Sequence, residues 1–186
     1  MNKDEIRIQM KSARRGMSET QKKEKSLAVQ RAILSLAEYA EAGCIMLYSP
    51  IGSEVETAWI AERALADGKR VLYPVTDEAS GKMTAVEVTN NSEFVRGGFG
   101  ISEPRGEKYT GKIDLIIVPG VAFDREGTRL GFGKGCYDRF LADTNVIRVG
   151  VCYDLQLTDS LPTEKHDARM DMIVTENEII RIKKNA

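Results

Sequence analysis

Apolar positions in the first part of the chain recur with a helical period. Ile6, Met10, Ala13 and Met17 fall on one face and Lys3, Arg7, Lys11 and Arg14 on another, which predicts an amphipathic N-terminal helix. Ser18 and Gln21 form a capping box that opens a second helix, running through Leu27, Ile33 and Leu34 towards Ala42, with Gly43 as its stop. The pattern then changes. Cys44 to Tyr48 is an apolar run of strand length closed by Pro50 and Gly52, Thr57 begins a helix that stops at Gly68, and Val71 to Val75 reads as a further strand. Strand, helix, strand is the βαβ unit of a parallel sheet. The unit recurs: Asp114 to Val118 is a continuous apolar strand ended by Pro119-Gly120, Tyr137 to Ala142 is helical, Val146 to Tyr153 is another buried strand, and Met172 to Thr175 adds one more. Met83 to Val88 and the loop Gly97-Gly98-Phe99-Gly100 interrupt the alternation, as an irregular or antiparallel excursion at one edge.

These elements predict an α/β protein: a three-layer α/β/α arrangement around a mostly parallel central sheet, Rossmann-like, with extra N-terminal helices. With 186 residues, 42% of them hydrophobic and 30% charged, the chain forms one sizeable core, so residues 1–186 are expected to be a single domain. The net charge of -1 and pI near 6.0 provide no global field for a polyanion, and any anionic ligand must be small and held locally. Cys44, Cys136 and Cys152 are odd in number and widely spaced, against both a disulfide framework and a zinc site. The basic N-terminal segment has no long apolar run, so it reads as neither a signal peptide nor a membrane span. The expectation is a cytoplasmic protein without nucleic-acid or membrane partners, a monomer or weak dimer.

The richest stretch is Gly127-Thr-Arg-Leu-Gly-Phe-Gly-Lys-Gly-Cys-Tyr-Asp-Arg139, shortly after a buried strand and opening a helix. Ligands of open parallel sheets bind beyond the carboxyl ends of strands, where a helix N-terminus offers free N–H groups to an anion. Gly131, Gly133 and Gly135 let the backbone approach a ligand, while Arg129 and Lys134 add positive charge. A phosphate group matches this composition better than the alternative of a plain surface turn. A Walker A loop would need glycine at Thr128 and a hydroxyl residue at Gly135, and a dinucleotide fingerprint would need glycine at Cys136, so both are excluded. Asp138 reads either as a magnesium ligand or as an ordinary helix-start acid. Phe99, between glycines, suits either stacking on a flat heterocycle or core packing. His166 is the only histidine, which excludes a histidine-rich metal centre.

The segment Arg129-Leu-Gly-Phe-Gly-Lys-Gly-Cys-Tyr-Asp138 resembles the signature of the 5-formyltetrahydrofolate cyclo-ligases, or methenyltetrahydrofolate synthetases. Pro119-Gly-Val-Ala-Phe-Asp124, Gly100-Ile-Ser-Glu-Pro104, Glu54-Val-Glu-Thr57 and Glu164-Lys-His-Asp167 are similar to the family's flanking motifs and stand in its order. Phe132 stands where the family more usually has Arg or Tyr, and Cys136 where it has Tyr. The resemblance implies ATP- and magnesium-dependent closure of 5-formyltetrahydrofolate to the 5,10-methenyl form, with ADP and phosphate as the other products. It implies phosphorylation of the formyl oxygen, followed by attack of the neighbouring folate nitrogen. It further implies ATP binding by Lys3, Arg7, Arg129, Leu130, Gly131, Phe132, Gly133, Lys134, Gly135, Cys136 and Tyr137, with Lys134 and Arg129 supplying catalytic charge. Folate contacts fall on Ser49, Glu54, Phe132, Gly133, Lys134, Gly135 and Cys136, joined by Phe99, and magnesium on Asp138 and Asp167. A small-molecule kinase using the same loop, or a non-catalytic folate- or nucleotide-binding module, is the competing reading. The kinase would accumulate a phosphorylated product, and the module would bind without turnover.

Overall fold

The computed structural model describes residues 1–183. Helix α1 (Lys3–Arg15) is capped by Asn2, whose side chain accepts from the Asp4 and Glu5 amides while Glu5 returns to the Asn2 amide. Its buried stripe is Ile6, Met10 and Arg14, each one turn beyond the last, whereas Ala13 is exposed. The sequence had placed Arg14 with the solvated basic face. Helix α2 (Glu19–Leu34) begins at the expected Ser18–Gln21 box but does not run on to Ala42. The Ser35 hydroxyl donates to the Ala32 carbonyl, the backbone turns extended at Leu36, and α3 (Ala37–Glu41) follows. That break lets Leu36 and Tyr39 both enter the core.

The strands follow in chain order as β1 (Cys44–Met46), β2 (Arg70–Thr76) and β3 (Met83–Val88), with α4 (Ala58–Ala66) between the first two. Next come β4 (Phe94–Arg96), β5 (Ser102–Pro104), β6 (Leu115–Pro119), β7 (Ala122–Asp124) and β8 (Arg129–Leu130). After α5 (Cys136–Ala142) the chain forms β9 (Ile147–Val151), β10 (Leu157–Thr158), β11 (Met172–Val174) and β12 (Ile179–Arg181). The main sheet has seven strands in the order β12-β11-β9-β6-β1-β2-β3. Its five inner strands are parallel, and β3 and β12 close the edges antiparallel. The Met83 to Val88 excursion is therefore the antiparallel edge that its position suggested. The small sheets β10-β7-β8 and β4-β5 consist of two- and three-residue strands, too short to carry a period of their own.

Alternation along the parallel strands divides the core. Ile45, Leu115, Ile117 and Val149 face the layer of α2, α3 and α4, while Met46, Leu72, Ile116 and Val118 face Leu141 of α5 and Phe123 of β7. This is the expected three-layer arrangement. Ile6 and Met10 of α1 pack separately against Val121, Ala122 and Leu130, which docks the N-terminal helix beside the strand that precedes the glycine-rich loop. Among the described residues no helix is long and apolar enough to cross a membrane. Ile117, fully buried on the central β6, has packed neighbours on every side. Ile117→Ala should lower unfolding free energy by about 3 kcal/mol, the transfer and cavity cost of such a truncation, measured by urea denaturation.

Candidate active site

The parallel strands run β2-β1-β6-β9-β11 across the sheet, so chain order reverses between β1 and β6. Open α/β sheets bind ligands at such a reversal, beyond the carboxyl ends of the strands. A cavity of about 580 Å³ lies there, reached by Ile51 after β1, Thr76 at the end of β2 and Pro119 at the end of β6. A smaller space of about 80 Å³ shares Ile51, Thr76, Phe132 and Tyr137 with it and extends inward to Tyr48, Ser49, Glu54 and Glu103.

The outer cavity is walled by the segment from Arg129 to Asp138. Among the described residues, the backbone N–H groups of Gly131 to Gly135 donate to no protein acceptor, leaving a run of amide dipoles for an anion. Two glycines have a specific steric reason. Gly133 has φ +94° and a Cβ there would lie 3.4 Å from the Arg7 guanidinium; Gly135 has φ +65° and would press on Arg139 at 3.0 Å. Arg139 staples the loop, its Nη2 donating to the Lys134 carbonyl at 2.9 Å and the Gly81 carbonyl at 3.1 Å. Phe99 lines the same cavity at φ 56°, a left-handed conformation that costs a non-glycine residue free energy and is held here between Gly98 and Gly100.

The charges are arranged in pairs. Lys3 Nζ donates to Glu164 at 2.9 Å and to Asp167 at 3.1 Å. Burial pulls the Lys3 amine down, but those two carboxylates outweigh it and its pKa is raised; burial likewise pushes Asp167 up, yet the Glu164 amide and Lys3 leave it lowered. Arg7 Nε donates to the Gly131 carbonyl at 2.9 Å. Arg129, nearly buried, donates through Nη2 to both Asp138 oxygens at 3.2 Å and through Nη1 to the Pro119 carbonyl, leaving its Nε unpartnered. Asp138 also accepts from the Ala168 amide at 3.1 Å, so it lies against the residue next to Asp167. Lys134 has no carboxylate partner among the described residues, and its amine lies 5.5 Å from the Phe99 ring centre.

Glu54 terminates the inner space. It is only 5% exposed; one oxygen accepts from the Ile51 amide at 2.8 Å and Oε1 has no partner. Burial raises its pKa to about 7, partly opposed by the Ile51 N–H and by Arg14. An unpartnered buried carboxylate oxygen on a residue that lines a cavity is a candidate acceptor for a ligand donor.

Of the residues marked in the sequence, Lys3, Arg7, Phe99, Asp167 and the whole run from Arg129 to Asp138 line the outer cavity, and Ser49 and Glu54 the inner one. Thr76, Met83, Ile101, Glu103 and Glu164 also line them without having been marked. Glu103 belongs to the Gly100–Pro104 motif and accepts from the Thr76 amide at 2.8 Å; Met83 and Thr76 come from an edge pairing that no local pattern announces. His166 is 74% exposed beside Glu164, as a surface-loop histidine would be, and Asp171 accepts from the Arg148 amide, a structural contact.

The fold is a doubly wound α/β sheet with a glycine-rich loop and two adjoining cavities beyond the carboxyl ends of its strands. The 5-formyltetrahydrofolate cyclo-ligase family model matches residues 1–176, and the chain belongs to that family. It is 31% identical to 5-formyltetrahydrofolate cyclo-ligase of Mycolicibacterium smegmatis, over 94% of this chain and 93% of that protein. With the Mus musculus 5-formyltetrahydrofolate cyclo-ligase it shares 27% identity, over 92% of each. The solved structure of Aquifex aeolicus 5,10-methenyltetrahydrofolate synthetase, 34% identical, superimposes with a TM-score of 0.88 over 100% of this chain and 95% of that one. The family's reaction is the ATP-dependent conversion of 5-formyltetrahydrofolate to 5,10-methenyltetrahydrofolate, and this chain is an ATP-dependent ligase acting on these small molecules.

The raised pKa of Glu54 makes the unliganded protein bind more protons than its unfolded chain between the ordinary value of 4.5 and about 7. This group's contribution therefore falls as pH rises through that window and is level above it. Wild type should lose up to about 3 kcal/mol relative to Glu54→Gln across the window. Parallel stability curves in urea titrations of the two proteins would show that Glu54 is not perturbed.

Proposed function

We propose that the ATP triphosphate lies along Gly131 to Gly135 with Lys134, Arg7 and Lys3 as its cations, and that the reduced pterin ring enters the inner space with its donors on Glu54. One observation carries this reading: a run of amides without protein acceptors lines the outer cavity, and Glu54, with a buried carboxylate oxygen left unpartnered among the described residues, lines the adjoining inner one, the two sharing a wall of Ile51, Thr76, Pro119, Phe132 and Tyr137. An anion and a hydrogen-bond donor are the complementary guests. Leu130, Cys136 and Tyr137 complete the nucleotide wall, while Ser49, Phe99 and Phe132 border the folate, with Gly133 to Cys136 shared between the two ligands.

The formyl carbon is that of an amide, a poor electrophile with a poor leaving group. Transfer of the γ-phosphoryl group to the formyl oxygen breaks the bond to ADP and forms an imidate phosphate. The neighbouring folate N–H nitrogen then attacks the carbon and gives up its proton to solvent, the C–O bond breaks, and phosphate leaves with the oxygen. The protein's part is alignment and charge. Lys134, without a carboxylate partner among the described residues, is available to the transferring oxygens, Arg7 fixes the loop through the Gly131 carbonyl, and Arg129 sets the orientation of Asp138.

Asp138 and Asp167 fit a magnesium ion in donor chemistry, being hard oxygen ligands that both line the outer cavity, with a lysine ammonium already drawn to Asp167. Bound there, magnesium would neutralise phosphate charge. We also infer that residues 1–186 work as one domain in the cytoplasm, as a monomer or weak dimer without nucleic-acid or membrane partners; the slight net negative charge and the cysteine pattern support this.

Lys134→Ala should lower turnover about a hundredfold or more, the scale of one preorganised electrostatic group. Near-ultraviolet absorbance of the methenyl product reports it, and wild-type turnover in the variant would remove Lys134 from the mechanism. Asp138→Asn should require more magnesium for half-maximal rate, and an unchanged magnesium titration would reject that ligand. With wild type, an absorbance rise that did not depend on ATP would overturn the reading as a whole.

A further inference from the structure

Helix α1 meets the site at two places. Its first half brings Lys3 and Arg7 to the outer cavity, and its last turn carries Arg14, which is only 6% exposed. That depth is unusual for an arginine. Its one side-chain hydrogen bond among the described residues runs from Nε to Ser53 Oγ at 3.0 Å, which ties the guanidinium to the turn. Ser53 immediately precedes Glu54. The turn is further held from behind, because Tyr48 donates to the Val55 carbonyl at 2.7 Å and Tyr153 to the Glu54 carbonyl at 3.5 Å.

Charges acting on the Glu54 carboxyl are few. Arg14 from α1 is the cation and Glu56 from its own loop the anion. The other titratable groups around it are Glu103 of β5, which lines the same inner space and accepts from the Thr76 amide, and Tyr48 after β1, Tyr137 of α5 and Tyr153 after β9, whose hydroxyls burial pushes up and which therefore stay neutral. We propose that Arg14 is a positioning residue for folate: it pins the Ser53–Glu54 turn to α1 and supplies the cation that favours the charged form of the inner carboxylate against its burial. This rests on the reading that Glu54 binds folate. It also makes α1 a common support for both ligands, with the phosphate cations in its first half and the folate-side cation in its last turn.

The test measures KM for 5-formyltetrahydrofolate and for ATP across pH in wild type, Arg14→Met, Arg14→Lys and Glu54→Gln. Arg14→Met should raise the folate KM about tenfold, the scale of one impaired charge-assisted hydrogen bond, while the ATP KM changes by less than about twofold. The acidic limb of kcat/KM for folate should move to higher pH, because the carboxylate loses the cation that favours its charged form. Arg14→Lys keeps the charge without the planar fork, so it should return the limb to its wild-type position while part of the KM increase persists. If Arg14→Met raises both KM values together, or lowers only the melting temperature, Arg14 is a scaffold residue and the proposal fails. Should Arg14→Met not fold, Arg14→Lys alone decides: a wild-type folate KM overturns the proposal. An unchanged folate KM in Glu54→Gln rejects instead the Glu54 reading on which this rests.

Discussion

The site depends on two hydrogen-bonded strands whose chains depart over opposite faces of the sheet. From β1 the chain crosses through α4 on one face, and from β6 it reaches β9 through α5 on the other. A parallel sheet must have its faces covered, and at the point where the coverings diverge neither crossover closes over the strand ends. The crevice left beyond Ser49 and Pro119 is where the glycine-rich loop, the N-terminal helix and the Glu54 turn converge. Removing that topological reversal would leave the same residues without a common space.

Charge in this crevice is balanced within the protein. Lys3 is held by Glu164 and Asp167, and Arg129 by Asp138, so the cations most deeply involved with the site each lie against a carboxylate. Charged pairs near a protein surface interact through an effective dielectric far below that of water. A polyphosphate with its counter-ion can therefore exchange partners with these pairs without exposing a lone charge to a poorly solvated pocket. Lys134 is different, resting on the Phe99 ring rather than on a carboxylate. Among the described residues it has no carboxylate partner, whereas Arg129 is tied to Asp138 and the Pro119 carbonyl.

Much of the fold was legible from local chemistry. The Ser18–Gln21 box, the Thr57 to Gly68 helix and the apolar runs at β1, β2, β6, β9 and β11 all read correctly, because caps and apolar runs act within a few residues. The second helix was read as continuous because nothing in its composition announces the break at Ser35–Leu36; the break answers a demand of the core, which takes both Leu36 and Tyr39. Arg14 was assigned to the basic face because type and spacing match Lys3, Arg7 and Lys11, yet a helical position belongs to whichever stripe the docked neighbours cover. The strands of the small sheets escaped notice, since two or three residues hold no period.

By itself the sequence determined the alternation of helices and strands through the parallel part of the main sheet, the position of the glycine-rich loop and, through its motifs, the resemblance to a folate cyclo-ligase. These depend on backbone freedom, side-chain type and near-neighbour spacing, all of which are local. Only the tertiary structure decided that, among the described residues, Lys134 has no carboxylate partner and one Glu54 oxygen has no donor, that Arg129 is bound to Asp138, and that the Arg14 guanidinium donates to Ser53. Burial and partnership come from segments far apart in the chain, and desolvation, which sets the state of Glu54, has no value until those segments have packed.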